Sequence, residues 1–174
     1  MTDTTIAQVR GRRVWDSRGR PTVEVEVTLK CGVSGRAIAP AGASMGTGEA
    51  VDLRDGGDAF GGLDVNNALA GVNGEIASEL RSMDAYAQSE VDTRLVQLDG
   101  TPNRSRLGGN AIVATSMAVL HAAAAAGGQP LWLYLAGDGP VRTPLPEIQI
   151  FGGGAHAARR VDVQDLMGMC PAAA

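Results

Sequence analysis

Between Asn110 and Ala126 the chain is apolar on nearly every side. Ile112, Val113, Met117, Val119 and Leu120 are followed by five consecutive alanines from Ala122. A helix without a polar face belongs in the middle of the packing, and its small side chains let neighbouring backbones come close. Gly127-Gly128 end it. The rest of the chain must therefore supply layers that cover it.

Those layers are readable upstream. Val23, Val25, Val27 and Leu29 alternate with Glu24, Glu26 and Thr28, and this period of two predicts a strand with one buried face. Ile6, Val9 and Val14 predict a strand over 6–14, and Arg36 to Ala39 a short third one. Asp16 to Pro21 and the Gly32 region carry turn chemistry, so the three strands read as an antiparallel meander. Helical spacing follows. Val65, Leu69, Val72, Ile76 and Leu80 predict a helix with Asp64 as its N-cap. Val91, Leu95 and Leu98 predict another, opened by Asp84 and stopped by Gly100 and Pro102. Leu131 to Leu135 add a short helical turn. Strands first and helices afterwards make an α+β layer arrangement.

From Gly137 to Thr143 the composition shifts to glycine, proline and polar residues, which marks a boundary. Leu145 to Phe151 then predicts a strand, Gly152 to Gly154 a turn, and Val161 to Met169 the return strand. No stretch approaches the roughly 20 continuous apolar residues of a membrane span, and the polar start at Met1 to Val9 does not resemble a secretory signal. Net charge is −4, and the fifteen cationic residues are scattered, so nucleic-acid binding has little electrostatic support. Cys31 and Cys170 lack metal-ligand spacing and read as free thiols of a cytoplasmic protein. Lys30 is the only lysine. No Gly-Lys-Ser/Thr phosphate loop exists, and Lys30 itself reads as a solvated turn residue.

Three segments carry a resemblance. The first is Asp16-Ser17-Arg18-Gly19-Arg20-Pro21-Thr22-Val23-Glu24-Val25-Glu26-Val27. The second is Leu98-Asp99-Gly100-Thr101-Pro102-Asn103, continuing through Leu107-Gly108-Gly109-Asn110-Ala111. The third is Gly153-Gly154-Ala155-His156-Ala157 with Val161-Asp162-Val163-Gln164-Asp165. In order and spacing they resemble enolase (phosphopyruvate hydratase) over essentially the whole chain. The resemblance implies an amino-terminal cap domain over 1–140 and, over 141–174, the first antiparallel hairpin of a (β/α)8 barrel. A whole barrel needs about 250 residues, so the chain is expected to be truncated or part of a longer reading frame, and inactive by itself.

The family's reaction is the reversible dehydration of 2-phosphoglycerate to phosphoenolpyruvate, a lyase step of glycolysis that uses two magnesium ions. The proton next to a carboxylate is so weakly acidic that the enolate needs metal stabilisation. The resemblance implies that the lysine base and the three main carboxylate ligands lie outside these residues. It assigns Ser44, in a lid loop of Gly42, Ala43, Ser44 and Gly46, to the second magnesium. A hydroxyl and its carbonyl are hard oxygen donors, and the glycines permit lid movement; read alone, this loop is a flexible surface turn. It assigns His156 and Gln164 to substrate binding and Asp165 to catalysis beside the leaving hydroxyl. His121, in the alanine-rich helix, reads as structural. The resemblance also implies a homodimer formed through the cap, with Arg18 near the contact.

Departures from the family pattern stand out. Asp165 replaces a glutamate and is one methylene shorter, about 1.5 Å. Gly152 stands for an asparagine, Met45 for a threonine, Gly48 for a histidine, Arg20 for an asparagine and Ala41 for a serine. Asp165 and Gly152 motivate a second reading, a paralogue acting on another phosphorylated or phosphonate acid; a third reading is a non-catalytic binding or scaffold derivative of the cap.

Overall fold

The computed structural model describes residues 3–42, 45–158 and 160–171, without the side chains of Ala155 and His156. Ala43 and Ser44 of the expected lid lie outside the described residues. The chain divides into two compact units: Met1–Ala41 with Gly48–Leu135, and Gly42–Thr47 with Ala136–Ala174.

In the first unit β1 (Ile6–Trp15), β2 (Pro21–Leu29) and β3 (Ser34–Ala39) form the antiparallel meander in that order. Val23, Val25, Val27 and Leu29 are buried as their period requires. Each such side chain contributes about 1.5–3 kcal/mol relative to an exposed one. The other face of β2 is not simply wet. Glu24 is only 7% exposed, because Arg12 lies directly across from it on β1 and pairs with its carboxylate, with Ile38 opposite on β3. The expectation of a single buried face is corrected to that extent.

The alanine-rich helix, α4 (Gly109–Ala126), packs on β3 and β2. Its Ala111, Ala114, Ala118 and Ala122 are wholly buried. By length and composition α4 could also cross a membrane, contrary to the sequence expectation, but most of it is buried within the protein. The small side chains explain the close approach. A Cβ on Gly35 of β3 would fall 2.1 Å from the Ala122 nitrogen and 2.5 Å from the Ala118 carbonyl oxygen.

The helix expected after Asp64 is built in three pieces: α1 (Asn66–Gly71), a π turn over Val72–Ile76, and α2 (Ala77–Leu80). Asn73, in the π turn, accepts the Gly11 N–H at 2.9 Å and donates to the Gly11 carbonyl at 3.1 Å. It thereby satisfies backbone groups of β1, an edge strand of its sheet. Asp64 is not the N-cap. It is 3% exposed, and both its oxygens accept from Arg13 at 2.8 Å. Asp55 takes over the capping work, accepting the N–H groups of Asn66 and Asn67 at 2.8 and 2.9 Å. Likewise α3 begins at Gln88, not at Asp84, and ends at Asp99 with Gly100 left-handed, as expected. Asp84 instead accepts from Thr4 Oγ1 and from the Tyr86 N–H. A last short helix, α5, covers Leu131–Ala136.

In the second unit β4 (Glu147–Gly152) and β5 (Asp165–Met169) form an antiparallel hairpin. The return strand is shorter than the 161–169 expected. Residues 161–164 form bends, their backbone engaged by the glycine turn.

Candidate active site

Two of the three resemblance segments turn out to build supports. Asp16 closes its own turn: Oδ1 accepts the N–H groups of Arg18 and Arg20, both at 2.8 Å, and Gly19 takes φ 69°. The Arg20 N–H does most to hold the Asp16 carboxyl below the ordinary carboxylate value of 3.8. Arg18 Nη1 reaches the Ala41 carbonyl at 3.3 Å, at the threshold of the glycine-rich loop. Asp99 organises the second segment. It accepts the Leu107 N–H at 2.8 Å, the Thr101 N–H at 3.0 Å and the Thr101 hydroxyl. Burial pushes its carboxyl up, but these donors outweigh that and hold it below 3.8.

The chain leaving the loop is strapped to these supports. Gly109 donates to the Val51 carbonyl at 2.7 Å, Val51 donates to the Asn103 carbonyl at 2.8 Å, and the Asn110 amide engages both the N–H and the carbonyl of Leu53. A Cβ on Gly109 would lie 2.8 Å from the Ala50 Cβ, so this approach requires glycine. Arg54 donates to the Pro21 and Leu63 carbonyls at 2.5 and 2.7 Å. Within this unit the end of β3 is held by Thr22 Oγ1, which donates to the Ala39 carbonyl at 2.6 Å.

The third segment carries the chemistry-bearing side chains, all within the second unit. Gly153 donates to the Gln164 carbonyl at 2.7 Å and Gly154 to the Val161 carbonyl at 2.8 Å. A Cβ on Gly153 would meet the Val163 carbonyl oxygen at 2.1 Å, and Gly154 takes φ 58°. The glycine run is therefore dictated by backbone contact. Asp165 opens β5 and lies opposite Gly152. Its exposed carboxylate accepts on both oxygens, from Gln149 Nε2 at 2.5 Å and from Gln164 Nε2 at 3.2 Å. Gln164 and Asp165 are thus brought together. Gln149 was missed by sequence reasoning, which treated β4 as an anonymous strand. Its only sequence signal is a polar residue amid Ile148, Ile150 and Phe151.

His156 lies in a 3-10 turn, Gly154–Ala157, two residues past the last glycine of the run. Ser44 and Ala43 lie outside the described residues, while Gly42 and Gly46 are exposed and group with the hairpin unit. His121 is half-buried on α4, beside Met117 and Ala125. Lys30 sits in the turn after β2, its N–H donating to the Thr5 carbonyl. Among the described residues no three His, Cys, Asp or Glu side chains converge as a metal-holding group.

An antiparallel meander on an alanine-rich helix, with a looped strap and a glycine-turned carboxylate hairpin, defines an enolase-type amino-terminal architecture. Residues 6–135 match the family model described as "Enolase, N-terminal domain", and the chain belongs to the enolase family. It is 49% identical over 162 residues, 93% of its length, to Enolase 1 of Desulfitobacterium hafniense and, over the same span, to the enolase of Methanopyrus kandleri. That span is 37% and 38% of those proteins. The chain thus covers under two-fifths of the length of the curated relatives it matches.

Proposed function

We propose that this chain supplies the cap domain, residues 1–140, and the first barrel hairpin, residues 141–174, of an enolase that reversibly dehydrates 2-phosphoglycerate to phosphoenolpyruvate in cytoplasmic glycolysis. The observation that carries this reading is the extent of the 49% identity, which covers 93% of the chain and so must run beyond residue 135 toward the hairpin. In this reading Asp165 stands beside the departing hydroxyl. A carboxyl there hands over a proton or accepts a hydrogen bond according to its state. Gln164 and His156 orient the substrate, and Ser44 in its glycine-rich loop closes over it. Magnesium enters through the family resemblance, which assigns Ser44 to the second ion. The test is magnesium-dependent formation of phosphoenolpyruvate from 2-phosphoglycerate by the protein carrying this chain. No turnover would defeat the reading.

A second reading has a specific observation in its favour. Asp165 is shorter than the family's glutamate and is tied on both oxygens to glutamines, an arrangement suited to a differently placed leaving group. Turnover of a phosphonate analogue in preference to 2-phosphoglycerate would select it. A homodimer through the cap, with Arg18 near the contact, completes the proposal. Gel filtration showing only monomer would count against that part.

A further inference from the structure

We infer that Gln149 is a positioning residue for Asp165, and that the side-chain-free position at Gly152 leaves its amide an uncrowded path. The inference rests on the reading of Asp165 as the residue beside the leaving hydroxyl, and it adds to that reading which groups set the carboxylate in place.

The argument starts from register. Gln149 pairs with Met167 and Phe151 with Leu166, so the ladder slips by one residue around Ile150. Such a bulge re-aims the side chains of its strand. Gly152 then lies opposite Asp165. Residues 149 and 152 would alternate to opposite faces of an unbroken strand. Here they lie opposite residues two apart, 167 and 165, which share a face. The slip thus sets Gly152, and not Phe151, opposite Asp165, while Gln149 is the diagonal neighbour of Asp165, within reach of long side chains, and Gln149 Nε2 donates to Asp165 Oδ1 at 2.5 Å.

The amide crosses the place where a side chain at 152 would begin. A Cβ on Gly152 would lie 3.1 Å from Gln149 Nε2 and 3.7 Å from its Cδ. A side chain at 152 would make the amide give by a few tenths of an ångström. Two of the departures from the family pattern, Gly152 and Asp165, are therefore joined through one side chain. The shorter carboxylate is reached by a long amide, and the long amide passes over the empty position. Gln164 bonds the second oxygen at 3.2 Å, so the carboxylate is fixed in rotation as well as in place.

The first test reads the bond itself in this chain. In side-chain amide NMR spectra, Asp165→Asn and Gly152→Ala should each shift the Gln149 Nε2 resonances and leave those of Gln97, in the other unit, unmoved. Unshifted Gln149 signals in Asp165→Asn overturn the inference whether or not any enzyme activity is found. Unchanged signals from residues 6–135 confirm that the variants remain folded. The second test uses the protein carrying this chain. Gln149→Leu should lower kcat by on the order of tenfold with KM nearly unchanged, since misplacement by about 1 Å costs up to roughly a hundredfold. Moving one methylene across the pair, in Gln149→Asn with Asp165→Glu, should restore more than the two single effects combined predict. Unchanged kcat in Gln149→Leu, or strictly additive singles, overturns the inference. Failure to turn over 2-phosphoglycerate defeats only the proposed reaction, and the NMR result then decides the positioning role by itself.

Discussion

Gly35 of β3 stands against the backbone of Ala122 in α4 so closely that one added carbon would fall 2.1 Å from the Ala122 nitrogen. The partner is helix backbone and cannot rotate away. Gly35→Ala must therefore push the helix off the sheet. Overpacking of this kind costs about 1–3 kcal/mol and occasionally more. Urea unfolding should show a loss of unfolding free energy at or above the top of that range. The compensating gain from removing a glycine, about 0.4–1 kcal/mol through the unfolded state, is too small to reverse the sign.

Asp99 predicts an acid limit to stability. Its folded carboxyl is held below the ordinary 3.8 by the Leu107 N–H and the Thr101 donors, against the opposing push of burial. A group depressed on folding contributes fully above its unfolded value. That contribution is lost as pH falls through the folded value. The unfolding midpoint should accordingly fall as pH drops below about 4, and Asp64, depressed chiefly by Arg13, acts in the same direction. Asp99→Asn should be less stable at neutral pH and show a shallower acid slope. An unchanged slope would show that Asp99 takes no part.

The Asp55 carboxylate accepts the first two N–H groups of α1 at 2.8 and 2.9 Å. Neither group has an intrahelical partner. Asp55→Ala should cost about 1 kcal/mol, within the usual range of about 0.5–2 for a lost cap. Asp55→Asn keeps one acceptor and should cost less. The comparison by thermal unfolding separates capping from net charge.

What was legible in the chain follows from what periodicity can encode. The meander and α4 announced themselves because Val23 to Leu29 and the alanine run bury whole faces. The αL stop at Gly100 was legible because a glycine there has few other uses. Periodicity could not report that Asp64 would be claimed by Arg13, fifty-one positions away, leaving Asp55 to cap α1. Nor could it show the π turn, whose Asn73 amide bonds to Gly11 of an edge strand sixty-two positions away. At the candidate site Gln164 and Asp165 were readable from the family pattern. Gln149 was not, because only the pairing of β4 with β5 sets it diagonal to Asp165, and no local spacing displays that pairing.

Gly153 offers the sharpest test of how the hairpin is held. Its own N–H donates to the Gln164 carbonyl at 2.7 Å, and a Cβ would collide with the Val163 carbonyl oxygen at 2.1 Å and the Val161 carbonyl oxygen at 2.7 Å. Both obstacles are backbone, so Gly153→Ala cannot be absorbed by a rotamer change. The substitution must separate the turn from residues 161–164 and release the segment that sets Gln164 and Asp165 at the start of β5. Amide hydrogen exchange should then accelerate at Gly153, Gly154 and along β4 and β5. The amides of β2 and α4, buried in the other compact unit, should keep their protection. Equal loss in both units would show that the hairpin and the meander unfold as one body. Retained protection at Gly153 and Gly154 would mean that the turn tolerates a side chain.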